Sequence, residues 1–144
     1  MEIKKADFDD LAQILALYTQ LGKNPIPPVL PTALWAQILA QPNHHILAAW
    51  EDGRIVSSCT LSIIFNLTHG GRPYALIENV VTDKDFRGRG LATACLARAR
   101  EIAEAAGCYK IMLLTGSKKE ETLRFYEKAG YNRGDKTAFV LWLS

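Results

Sequence analysis

The spacing of apolar residues changes several times along the chain, and each change predicts an element. Glu2 to Ala6 is short and extended, after which Leu11, Ile14, Leu15, Tyr18 and Leu21 fall on one face of a helix that Asp9 and Asp10 would cap and Gly22 would end. Four prolines between Asn24 and Pro31 forbid regular helix and make a stiff connector before a second short helix, Thr32 to Gln41. Ile46 to Trp50 and Ile55 to Phe65 read as antiparallel strands, and Glu51-Asp52-Gly53-Arg54 between them carries the Asp-Gly signal of a tight hairpin. His69-Gly70-Gly71-Arg72-Pro73 is a second turn, leading into Tyr74 to Thr82 as the next strand of the same meander. A helix follows from Leu91, on which Leu91, Cys95, Ile102 and Ala106 share a face and Arg98, Glu101 and Glu104 lie elsewhere. Tyr109 to Leu114 is then a short apolar strand, Lys119 to Lys128 a helix closed by Gly130, and Thr137 to Leu143 a final strand. The order and lengths predict an α/β fold with a sheet of mixed direction.

Length allows one core, since 144 residues are enough to bury a real interior and too few for two of ordinary size. A single domain over residues 1–144 is expected. Seventeen basic and fifteen acidic residues leave a formal charge of +2, which gives no reason to expect a nucleic-acid partner. Met1 to Lys5 is not followed by an apolar signal region, and no apolar run approaches the roughly 18 residues that span a membrane, so a cytoplasmic protein without a membrane partner is expected. Cys59, Cys95 and Cys108 are odd in number, lack metal-ligand spacing and sit in apolar patterns, which points to buried reduced thiols. His44-His45 has no partner at metal spacing and His69 sits in a glycine turn, so no metal site is expected.

The most telling stretch is Tyr74 to Gly107, where an interior strand, a polar break from Asp83 to Phe86 and the turn Arg87-Gly88-Arg89-Gly90 run straight into a helix. The helix start has no Ser or Asp cap. Its first N–H groups would therefore point at an anion, and glycines without side chains let that anion come close. The turn lacks the lysine of the nucleotide-hydrolysing phosphate loop and the third glycine of a dinucleotide fingerprint.

The run Arg87-Gly88-Arg89-Gly90-Leu91-Ala92 matches the [RQ]-x-x-G-x-[GA] signature of the GCN5-related N-acetyltransferases (GNAT), and Leu123 to Tyr131, LRFYEKAGY, resembles that family's second hallmark segment. The resemblance extends over nearly the whole chain and is strongest from Leu76 to Tyr131. It implies a GNAT fold: a mostly antiparallel central sheet flanked by helices, with a splayed strand pair holding acetyl-CoA. It also implies that the amides of Arg87, Gly88, Arg89, Gly90, Leu91 and Ala92 grip the pyrophosphate, while Val80, Val81 and Thr82 line the pantetheine arm as their strand parts from Tyr109 to Leu114. One departure is Lys119, which stands where many members place a cofactor-touching asparagine.

Acetyl transfer from a thioester to an amine needs a base for the ammonium proton and a proton for the departing thiolate. Glu78 is the candidate base, because it interrupts an apolar strand on the side of Leu76 and Val80, where burial would raise its pKa. Acting as a strand glutamate that reaches solvent is the plainer alternative. Tyr126 matches the family's tyrosine, whose phenol donates to the thiolate; its plainer alternative is a core aromatic beside Phe125 and Tyr131. The expected activity is an acetyl-CoA-dependent N-acetyltransferase that acts on a primary amine of a small molecule or peptide by direct attack on the thioester, with a non-catalytic acyl-CoA sensor as the alternative. The acceptor site would draw on Asn24 to Pro31, Phe65 to Arg72 and Asp135 to Thr137. The apolar terminal strand needs a cover, which either a partner subunit in a homodimer or the chain's own helices could supply.

Overall fold

The computed structural model describes residues 1–144 and places five strands in one sheet, in the order β1 (Glu2–Lys5), β2 (His44–Glu51), β3 (Arg54–Ile64), β4 (Tyr74–Thr82) and β5 (Ile111–Leu113). Neighbours are antiparallel except β4 and β5, which are parallel. The expected mixed, mostly antiparallel sheet is what forms. Asp52 and Gly53 at the β2–β3 hairpin both have positive φ, 50° and 75°, as the predicted Asp-Gly turn demands.

Four helices of eight residues or more accompany the sheet, α1 (Leu11–Tyr18), α2 (Thr32–Ala40), α3 (Leu91–Ala105) and α4 (Glu120–Lys128), and a kinked single turn, Thr68–Gly71, joins β3 to β4. A 3₁₀ turn, Phe8–Asp10, precedes α1; Asp10 holds the N-cap position of α1 as expected but bonds no amide of its first turn, and the side-chain cap is made one turn earlier by Asp7. Asp7 and Asp10 satisfy each other's backbone amides in a capping box. The sheet is buried on both faces. On one side Leu47, Ala49, Val56, Cys59, Leu61, Ala75 and Ile77 pack against Leu91, Cys95, Leu96, Ala99 and Ala103 of α3. On the other, Ile46, Ala48, Ile55 and Val81 pack against Leu11, Ile14, Leu17 and Trp35 of α1 and α2. The buried stripe of α3 is thus turned from the one expected: Ala99 and Ala103 are in the core, and Ala106 is exposed. Two small residues there let the helix lie close on the sheet, which a count of large apolar side chains does not reveal.

The terminal strand is the chief correction to the expected fold. Residues 132–144 form no strand, and Phe139, Leu141, Trp142 and Leu143 are 83–91% exposed. A strand exists only with a neighbour to bond, and no edge of this chain takes the segment up.

Candidate active site

β4 ends at Thr82 and the chain turns twice before α3. Asp83 caps the short 3₁₀ turn Lys84–Phe86, its carboxylate accepting from the Asp85 amide at 2.9 Å. Gly88 and Gly90 both have φ of 78°, and Gly90 is the left-handed N-cap of α3 with no side chain bonding its first turn. L-residues with a Cβ pay roughly 1–2 kcal/mol in that conformation, so the glycines are what allow the turn. No amide from Arg87 to Thr93 donates a hydrogen bond within the chain. A cluster of free donors at the positive end of a fifteen-residue helix is an arrangement that favours negative charge.

The two arginines of the turn do different things. Arg87 folds back, its Nε donating to the Thr82 carbonyl at 3.2 Å, and lines an open groove of about 440 Å³ with Ser117, Lys119, Glu121, Thr122 and Phe125. Arg89 leans away, 3.3 Å from the Glu51 carboxylate and stacked over the Phe86 ring at 4.9 Å. Arg54 covers the same ring at 5.5 Å and reaches Asp83 at 3.5 Å. Arg89 is therefore a brace of the turn, and Arg87 is the cation facing the groove.

β4 and β5 are paired only from Ala75–Ile111 to Ile77–Leu113. Beyond Ile77, β4 continues to Thr82 without a partner on that side, so the two strands part along Glu78 to Thr82 as expected for a splayed pair. At the same point β4 bulges. Ser58 pairs with Val81 and Thr60 with Glu78, so Asn79 and Val80 together oppose Cys59, and Asn79 takes a φ of 53°. The extra residue reverses the alternation. Ala75 and Ile77 face α3 before the bulge, whereas Val80 faces α3 and Val81 faces α1 and α2 after it.

That reversal corrects two expectations about Glu78. It does not share a face with Val80, and its side chain is exposed, not buried as expected. What remains is position: Glu78 is the first residue of the unpaired stretch, beside the bulge. Val80, Val81 and Thr82 follow it along the parted edge, with the Val81 carbonyl accepting from Ser57 Oγ at 3.0 Å and the Thr82 hydroxyl 2.8 Å from the same oxygen.

Tyr126 lies on α4 and packs against the α3-side core, edge-on to Phe125 at 5.1 Å and to Tyr131 at 6.3 Å. Burial, and to a smaller extent the neighbouring Cys59 thiol, pushes its pKa up, so the phenol keeps its proton at neutral pH. Cys59 and Cys95 are fully buried, and desolvation pushes them to about 12 and about 11, which leaves them as neutral thiols and not nucleophiles. Lys119 is the N-cap of α4 and makes no side-chain cap, but it lines the groove next to Arg87.

Several residues that shape this site were not singled out in the sequence. Glu51, Asp83, Phe86 and Arg54 brace the turn, and Ser57 ties down the end of β4. Tyr18 is another: its hydroxyl lies 3.5 Å from Thr60 Oγ1, next to the bulge, while burial pushes its pKa up. Most of their contacts join residues far apart in the sequence, such as Glu51 with Arg89, Arg54 with Asp83 and Ser57 with Val81. A second depression, about 340 Å³, lies at the other end of β2 between Lys5, Ile38, Pro42 and His45, and contains none of the candidate residues.

Comparison with known proteins agrees with this geometry. The acetyltransferase (GNAT) family pattern matches residues 8–131. A putative acetyltransferase from Agrobacterium tumefaciens str. C58 superposes with a TM-score of 0.93 at 40% identity, over 99% of each chain. The aminoalkylphosphonate N-acetyltransferase of Salmonella typhimurium strain LT2 is 30% identical over 132 residues, 92% of this chain and 85% of that enzyme. The glucosamine 6-phosphate N-acetyltransferase of Trypanosoma brucei brucei is 42% identical over 84 residues, a match that spans 58% of this chain and 55% of that enzyme. With the turn, the parted strands and a family pattern that takes in most of its length, the chain belongs to the acetyltransferase (GNAT) family.

Proposed function

We propose that the protein transfers an acetyl group from acetyl-CoA to a primary amine of a small molecule by direct attack of the amine on the thioester. The observation that carries this reading is the run of unpartnered amides from Arg87 to Thr93 at the left-handed glycine start of α3. Acetyl-CoA supplies the activated acyl thioester. The chain's residues fit it: the amides of residues 87–92 and the Arg87 guanidinium would hold the pyrophosphate, and the parted edge of β4 at Val80, Val81 and Thr82 would take the pantetheine arm as an added strand. Lys119 and Arg87 border the same groove and add positive charge to it.

Each proton has a candidate carrier. Glu78, exposed beside the parted edge, accepts the ammonium proton directly or through water. Tyr126, whose proton burial retains, donates to the leaving sulfur. Holding both reactants in one cleft supplies the rest of the rate enhancement by orientation.

For the acceptor, the two relatives named above act on amines that also carry a phosphate or phosphonate. A small anionic amine is therefore the class proposed for this chain. The test is release of free thiol from acetyl-CoA with a panel of amines. Turnover with amino-sugar phosphates or aminoalkylphosphonates, well above that with uncharged amines, is the expected result. Tight binding of acetyl-CoA with no thiol release from any amine would instead make the protein an acyl-CoA sensor, and turnover restricted to peptide amines would overturn the acceptor class.

A further inference from the structure

Helices α1 and α2 cover only part of their side of the sheet. Directly paired residues point the same way, so the register places Ile46, Thr60 and Glu78 in one row across β2, β3 and β4, and His44, Ser62 and Leu76 in the next. Ile46 packs beneath α1 and α2, which fixes the face on which both rows lie. Thr60 is 5% exposed and shares its hydroxyl with Tyr18, whereas His44, Ser62, Leu76 and Tyr74 are only part-buried and Glu78 is exposed. A partly uncovered strip of sheet therefore runs from the candidate base on β4 across to β2. At its β2 end, His44 Nδ1 lies 2.9 Å from Ser62 Oγ. His45 is opposite Leu61 and belongs to the other face, so the two neighbouring histidines have different surroundings.

We propose that the hydrogen-bonded pair Ser62 and His44 holds the anionic group of the acceptor while the acceptor's amine sits at Glu78. This assignment rests on the proposed acetyl transfer to small anionic amines. The spacing fits it: Ser62 is the diagonal neighbour of Glu78, with Cα atoms about 7–8 Å apart, a span that the two side chains and a short amine-bearing phosphate or phosphonate fill between them. The hydroxyl has one hydrogen, and the imidazole decides where it goes. With a proton on Nδ1, the ring donates to Ser62 Oγ and leaves the hydroxyl hydrogen for the anion; a second proton on Nε2 adds positive charge behind that donor. Ser62, one strand from Glu78, is the residue that touches the acceptor. His44, two strands away, acts through Ser62 and is a positioning residue.

The pair is in place before any ligand arrives, because the Ile63 amide donates to the Asn43 carbonyl at 2.8 Å and the His44 amide to the Gln41 carbonyl at 3.4 Å, fixing the start of β2 against β3. Charge then sets one orientation: the Glu78 carboxylate attracts an ammonium and repels a phosphate, which turns the acceptor's anion toward Ser62. Lys110 is the other cation of this face, 5.4 Å over the Tyr74 ring and 5.2 Å over Tyr109. Tyr74 stands four residues before Glu78 on β4, about 13 Å along the strand, so a short acceptor with its amine at Glu78 meets Ser62 first.

Aminoethylphosphonate and ethanolamine carry the same amine on the same short chain and differ in the anionic group, which makes them matched probes. The ratio of their kcat/KM values should fall on the order of 10-fold in Ser62→Ala and in His44→Phe, through the KM for the phosphonate, and should be kept in Ser62→Thr, which retains the hydroxyl. A ratio that Ser62→Ala and His44→Phe leave unchanged would overturn the assignment, since a merely structural role lowers both amines alike. A second measurement needs neither turnover nor a variant. With coenzyme A present, the His44 ring resonances of the unaltered protein should move saturably on titration with aminoethylphosphonate and stay still with ethanolamine. Unmoved His44 resonances would overturn the site, and if the phosphonate is nonetheless acetylated, the proposed activity stands without it. Resonances that move while no thiol is released would support the site and tell against the proposed activity.

Discussion

Tyr126 and Glu78 are assigned opposite proton tasks, and single-atom changes separate them. Tyr126→Phe keeps the ring against Phe125 and Tyr131 and removes only the hydroxyl. It should lower kcat by about 10²-fold while leaving the KM for acetyl-CoA within a factor of about two. An unchanged kcat in steady-state assays would remove the phenol from the reaction. Glu78→Gln removes the proton acceptor, a loss that matters most while the amine is protonated. Its deficit in kcat/KM should therefore be large near pH 7 and shrink as pH rises toward the pKa of the amine, and a deficit independent of pH would contradict the base role. Position 78 also marks where sequence reading stops. That a carboxylate interrupts an apolar strand is plain from the residues, but which neighbours share its face depends on the bulge at Asn79. A period-two pattern cannot register one extra residue on one strand, so Val80 and Glu78 were expected together and are found apart.

Among the elements, β4 has the same bounds in sequence and structure because two strong breaks enclose it: Gly70-Gly71-Arg72-Pro73 before and Asp83 after. The glycine turn and uncapped start of α3 were legible for the same reason, since the absence of a cap is itself written in the residues. The terminal segment shows the limit. Its composition is that of a strand, but strand formation is a property of a pair, and the segment pairs with no strand of this chain. Helix α4 offers a test of local reasoning. Lys119 sits at its N-cap with strand-like backbone, φ −68° and ψ 132°, and supplies no acceptor. Lys119→Asn places a carbonyl oxygen there and should stabilise the fold by about 0.5–2 kcal/mol, read as a raised midpoint in urea unfolding. A lowered midpoint would show that Lys119 contributes something other than an unfilled cap.

At the scale of the whole molecule, the two-faced sheet buries Cys59 and Cys95 deeply enough to set an alkaline limit. Their pKa values, about 12 and about 11, lie above the ordinary 9.0 of an exposed thiol. Below pH 9 both folded and unfolded chains hold these protons. Between pH 9 and 11 the unfolded chain releases them and the folded chain does not, so stability should fall as pH rises through that window. Urea unfolding at pH 7 and pH 10 reads this directly, and Cys59→Ala with Cys95→Ala should flatten the slope. The same packing holds β3 and β4 rigid against α3 and presents the parted edge and the glycine turn as one surface. Backbone amide resonances followed during titration with acetyl-CoA test that arrangement most directly. The largest saturable shifts are expected at Gly88, Gly90, Leu91 and Ala92, continuing along Val80 to Thr82. Absence of saturable binding, or shifts centred on the depression near Lys5 and His45 with the α3 start unmoved, would contradict it.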